Sequence, residues 1–118
     1  MDLRVWKEAM DLDEVCYRLS SKFPKGEMYG LNSQLRRAAI SVPANIAEGY
    51  GRDNKGSYAH HLKIAQGSLR ELQTHLLLAE RISVAGTNAS RPALDQCKTV
   101  AKMLNGLIRS LQRYETST

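Results

Sequence analysis

Strand-forming material is scarce in this chain. Only 6% of its residues are aromatic, with one Trp and one Phe, and Val, Ile and Thr are nowhere clustered. β propensity is therefore poor throughout. Three prolines and eight glycines leave little for the many turns of an all-β fold. Two cysteines make no disulfide framework at this length. Cys16 and Cys97 fall at apolar helical positions and are expected to be reduced core thiols. No apolar run approaches the roughly 20 residues of a membrane span, the longest aliphatic stretch being Leu76-Leu77-Leu78-Ala79. Met1-Asp2-Leu3 opens neither a basic nor an apolar leader, so the expected location is cytoplasmic.

What the chain does have is helical periodicity. A first helix is expected over 2–21, capped by Asp2, with Val5, Ala9, Leu12, Cys16 and Leu19 on its buried face. Trp6 and Val15 widen that face, while Lys7, Asp11, Asp13, Glu14 and Arg18 take the solvent side. A second helix, 31–51, carries the stripe Leu31, Leu35, Ala39, Val42 and Ile46, extended by Tyr50. Its small residues Ala38, Ala39, Ala44 and Ala47 let another helix approach closely. A third, 55–83, follows a cap at Asp53 or Asn54 and repeats Tyr58, Leu62, Ala65, Leu69, Leu72, Leu76 and Ala79 in strict four-three steps. Gly67 sits on its polar side at a cost of about 1 kcal/mol against Ala. The fourth, 91–114, has Pro92 in its first turn and the stripe Leu94, Cys97, Ala101, Leu104, Ile108 and Leu111. Four amphipathic helices on short links predict a single all-α domain, 1–118, folded as an antiparallel up-down-up-down four-helix bundle.

Within the second helix, Pro43 removes a backbone donor and crowds the Ala39 carbonyl, a cost of roughly 3 kcal/mol mid-helix. It reads as a shape device, bending the helix so that Ala44, Ala47 and Tyr50 meet a neighbour. Glu48 and Arg52 are spaced for an ion pair. Gly49 and Gly51 are expected to end the helix in left-handed geometry.

Net charge is +5, unevenly spread: residues 1–30 carry five Lys/Arg against six Asp/Glu, residues 91–118 five against two. On the fourth helix Arg91, Lys98, Lys102, Arg109 and Arg113 fall within an arc of roughly 60°. Lys63, Arg70 and Arg81 line up on the third. Fixed rows of cations suit a polyanion, whose counterions they release; the plainer alternative is a solvated face that keeps the protein soluble. Candidate nucleic-acid contacts are Arg36, Arg37, Arg52, Lys98, Lys102, Arg109 and Arg113. With no stacking aromatics and no base-reading motif, any such contact is to backbone and shape. Val100, Met103, Leu107 and Tyr114 form a second apolar row on the fourth helix, beyond what a bundle core needs, and point to a subunit interface.

Chemistry has no positive case. His60 and His61 diverge by about 100°, and His61 and His75 lie two heptads apart, so no metal set forms. No zinc-protease, Cys-x-x-Cys or phosphate-loop pattern occurs. No catalytic residue, cofactor, metal or small-molecule substrate is inferred, and no membrane association.

The stretch Gln34 to Arg52, with Lys55, Tyr58, Ile64-Ala65, Gly67-Ser68-Leu69, Glu71-Leu72, the Trp6-Lys7 start and the Phe23-Pro24 turn, closely resembles the 23S rRNA intervening-sequence protein family. His61 and Gly56 depart from the family pattern, which would have a phenylalanine and an acidic residue. The resemblance implies a cytosolic four-helix bundle assembling as a ring-shaped homopentamer, related to an accessory protein of diversity-generating retroelements that binds nucleic acid through a basic surface. It implies no catalytic residues. The expectation is a non-enzymatic homo-oligomer binding RNA or DNA backbone. The alternatives are a scaffold for a protein partner, whose basic rows serve solubility, and an enzyme whose site forms only between subunits.

Overall fold

Pro43 sits inside an unbroken helix. The computed structural model describes residues 3–27 and 30–116, without the side chains of Leu3, Glu27, Thr87 and residues 114–116. Four helices, α1 (Leu3–Ser20), α2 (Leu31–Tyr50), α3 (Lys55–Arg81) and α4 (Thr87–Thr116), are joined by short links, the first containing a 3-10 turn at Lys25–Glu27. Each helix packs on two others: α1 on α2 and α4, and α3 on α2 and α4. The α1–α3 and α2–α4 pairs do not touch among the described residues. That is the square of a four-helix bundle, 52 Å long and about 20 Å across (23 × 19 Å).

The four-three pattern places the core as expected. Val5, Leu12, Leu35, Ile46, Leu62, Leu69, Leu72, Leu76 and Leu104 are essentially inaccessible, each contributing about 1.5–3 kcal/mol of burial. Cys16 and Cys97 are buried and unbridged. Asn54 caps α3, its side chain accepting from Ser57 N at 2.8 Å. Buried Asn32 donates to the Ser20 carbonyl at 2.7 Å, which satisfies an end of α1 and ties it to the start of α2. Asp2, expected to cap α1, lies outside the described residues.

Several expectations need correction. Gly51 is right-handed at φ −74°, and no described glycine has positive φ, so neither Gly49 nor Gly51 is a left-handed cap. Gly49 is needed for space: a Cβ there would come within 2.8 Å of His61 Cβ and 3.1 Å of the Tyr58 carbonyl. The glycine lets α2 and α3 close on each other. Tyr50 does not extend the buried stripe; its side chain is exposed and meets the Tyr58 ring edge-on.

Among the described residues, the left-handed one is Ser83, at φ 63°. It ends α3 in a Schellman turn, with Val84 N on the Ala79 carbonyl and Ser83 N on that of Glu80, both at 3.1 Å. The fourth helix then starts at Thr87 rather than 91 and carries Pro92 inside it. Its early start is anchored from α3, where the Glu80 carboxylate accepts from buried Ser90 and lies 4.0 Å from Arg91.

Candidate functional site

The basic row of α4 is where the sequence puts it. Lys98, Lys102 and Arg109 are exposed on one side of a 30-residue helix, and none of the three has an ion-pair partner among the described residues. At 1.5 Å per residue the row from Lys98 to Arg113 spans about 22 Å. Arg113, likewise exposed, continues it.

The arginines of α2 and Arg52, just past its end, do not join that row. Since α2 and α4 occupy opposite corners of the bundle, their cations form no continuous strip. Arg36 is half-buried and structural: its guanidinium lies 4.5 Å over the Tyr17 ring, donating to Ser20 Oγ at 2.8 Å and to the Tyr17 carbonyl at 3.3 Å. Arg37 donates to Gln34 at 2.7 Å. Arg52 forms the expected pair with Glu48, at 2.5 Å. Exposed Lys63, Arg70 and Arg81 of α3 are nearer, because α3 packs on α4.

The second apolar row of α4 is largely spent inside the chain. Val100 is fully buried and has no surface left for a subunit contact. Met103 and Leu107 are half-buried against the core and line a shallow cleft with Arg4, Val5, Lys102, Gly106 and Ser110. The side chain of Tyr114 lies outside the described residues. This helix faces both α1 and α3, so its own bundle needs a wider apolar arc than a single stripe.

Apolar surface is left over elsewhere, between α1 and α2. Trp6, Met10 and Tyr17 on one side face Ile40, Pro43, Ala44 and Ala47 on the other across an open groove of about 470 Å³. Asp13, assigned to solvent from the sequence, is in the wall of this groove, 9% exposed, and its Oδ1 has no hydrogen-bond partner among the described residues. Burial pushes its carboxyl up from the ordinary 3.8 to about 8. The sequence did hold the signal. Asp13 lies about 80° from Val5 on the helix, beside Trp6 and Tyr17 rather than opposite the core. Behind it, burial raises the Cys16 and Cys97 thiols, Cys97 to about 12, with the neighbouring Asp13 carboxyl adding to both. Such thiols are inert as nucleophiles.

A half-buried polar ladder joins α2 to α3. Asn45 Nδ2 donates to the Ser41 carbonyl at 2.9 Å and to Ser41 Oγ at 3.0 Å, in the turn that spans Pro43. Ser41 and Ser68 hydroxyls pair at 2.7 Å, and His61 Nδ1 is 3.5 Å from Asn45 Oδ1. His61 is thus a half-buried, hydrogen-bonding histidine. No group of three or more His, Cys, Asp or Glu side chains that could hold a metal ion occurs among the described residues. Nor is any described helix long and apolar enough to cross a membrane.

The family described as 23S rRNA-intervening sequence protein matches residues 1–106. No curated relative matches the chain. A crystal structure of a protein of unknown function from the S23 ribosomal protein family of Bacteroides thetaiotaomicron is similar in fold, with a TM-score of 0.82 at 18% identity, covering 88% of this chain and 97% of that one.

Proposed function

We propose, for a chain that belongs to the 23S rRNA-intervening sequence protein family, a non-enzymatic homo-oligomeric bundle that binds RNA or DNA backbone without base specificity. The observation that carries this reading is the α4 row: Lys98, Lys102 and Arg109, exposed on one rigid helix and without acidic partners among the described residues. Arg113 and, on α3, Lys63 and Arg70 extend it. Phosphates need cations held at fixed spacing, and counterion release supplies the affinity. The family's description, with its ribosomal-RNA intervening sequence, makes RNA the first polyanion to test. Five copies, the number implied by the resemblance, would repeat the row around a ring.

The test is retention of labelled RNA and DNA duplexes by protein freed of nucleic acid, across a salt series. Engagement of three or four phosphates predicts a slope of log affinity against log salt near −3. No retention at low ionic strength ends the reading. A second reading, a scaffold that holds a protein partner, is favoured by the open α1/α2 groove; there the α4 cations serve solubility and binding to nucleic acid is absent.

A further inference from the structure

The α1/α2 groove combines two features that a finished surface avoids. Its accessible surface is almost wholly apolar, although Glu14 lines it beside Asp13, and its wall holds a buried carboxyl oxygen with no partner among the described residues. An unpaired polar atom out of water costs roughly 1–3 kcal/mol, so what the groove lacks is an apolar body carrying a cation. The chain has such a body on the far corner of the bundle. Near the end of α3, Leu77 (47% exposed), Leu78 (42%) and Ile82 (49%) surround Arg81, which is exposed and has no ion-pair partner among the described residues. Their helical positions span about 140°, a convex ridge with one cation inside it. Three large aliphatic side chains exposed within six residues are an interaction surface rather than scatter.

We propose that the Leu77–Ile82 ridge of one copy docks into the α1/α2 groove of a second, placing Arg81 against Asp13. This rests on the homo-oligomer reading and gives that reading its contact. Shape and charge both favour it. A single helix ridge matches a furrow between two helices whose α2 wall is lined by Ala44 and Ala47, residues small enough for close approach. The guanidinium sits beside the Asp13 carboxyl and draws it toward the ionised form, so docking releases a proton; a donor reaches Oδ1, which is buried, with a small opening of the groove wall. Groove and ridge are different patches on one chain, and α1 and α3 do not pack on each other among the described residues. The contact is therefore heterologous and repeats from copy to copy, closing into a ring or running on as a filament. It also leaves the α4 row open to a polyanion.

A heterologous contact has a distinctive test. Ile40→Glu blocks the groove and spares the ridge; Leu78→Glu blocks the ridge and spares the groove. Both positions are exposed, and circular dichroism checks that each variant keeps its helices. By light scattering after gel filtration at micromolar concentration, wild type runs as an assembly and each variant alone as a single 13.2 kDa chain. Mixed one to one, the two variants form a complex of two chains and stop, because one intact groove meets one intact ridge. Arg81→Gln weakens wild-type assembly by tenfold or more. A monomeric wild type overturns the homo-oligomer reading and this contact with it. An assembled wild type whose variants also assemble, or whose monomeric variants fail to pair on mixing, overturns the contact and leaves self-association standing. An Arg81→Gln chain that assembles as tightly as wild type overturns the Asp13 pairing.

Discussion

The two sides of α2 show opposite solutions to the same problem. Toward α3 the helix is sealed: Ala38 is buried, Gly49 admits the α3 backbone, and the Ser41, Asn45, Ser68 and His61 side chains answer one another. Toward α1 it is open: Ile40, Ala44 and Ala47 line a groove whose acid is unanswered. Small residues occur on both sides, so composition does not explain the contrast. The difference lies in what each side faces. Against α3 there is a polar or small counterpart at each level, whereas against α1 the large side chains Trp6, Met10 and Tyr17 hold the helices apart. The sealed side supplies stability, and the open side is a surface awaiting an occupant.

The largest expected effect breaks the open side. Asp13 keeps its proton to about pH 8 in the fold and releases it near 3.8 when unfolded. Folding therefore takes up a proton between those values. The stability associated with the neutral carboxyl is complete below about pH 3.8 and is lost as pH rises toward and through 8. In the Leu78→Glu background, which leaves the groove empty, urea midpoints should fall from pH 5 to pH 8. Asp13→Asn should abolish that trend and stabilise the chain near pH 7.5 by roughly 2–4 kcal/mol. A flat profile in the presence of Asp13 would show that the acid is not desolvated.

Breaking the sealed side comes next. Gly49→Ala drives a methyl into His61 and the Tyr58 carbonyl and should cost about 1–3 kcal/mol by urea denaturation, since overpacking forces the backbone to move. Asn54→Ala, which removes the cap at the start of α3, should cost about 1 kcal/mol. The smallest effects are gains. A Cβ at Gly67 meets nothing within 4 Å, so Gly67→Ala should raise stability by up to about 1 kcal/mol. Ser83→Gly, which relieves the left-handed residue, should add a similar or smaller amount.

The sealed side is largely legible in sequence because core stripes have a period, and Val42, Ile46, Leu62 and Leu69 fall on it. The role of Gly49 is not legible: a turn glycine and a close-packing glycine look alike until the neighbouring helix is in place. The open side misleads for a related reason. A charge at Asp13 suggests solvent, and only the angular position beside Trp6 and Tyr17 argues otherwise. For α4, the cation row can be read from spacing alone. The interface expected at Val100 cannot, because a helix facing two neighbours buries a broader arc than a stripe count allows. Arg36 illustrates the limit for charge: nothing in its spacing reveals the Tyr17 ring and Ser20 hydroxyl that hold it.

In the proposed function α4, and not α2, meets the polyanion. The most direct measurement is the salt dependence of duplex RNA binding by fluorescence anisotropy, for wild type, Lys102→Ala and Arg37→Ala. Removing a cation that neutralises one phosphate should lower the slope of log affinity against log salt by about 0.9 on a duplex. The predicted result is a shallower slope and weaker binding for Lys102→Ala, with Arg37→Ala unchanged. Equal slopes for all three proteins, or a loss confined to Arg37→Ala, would contradict it.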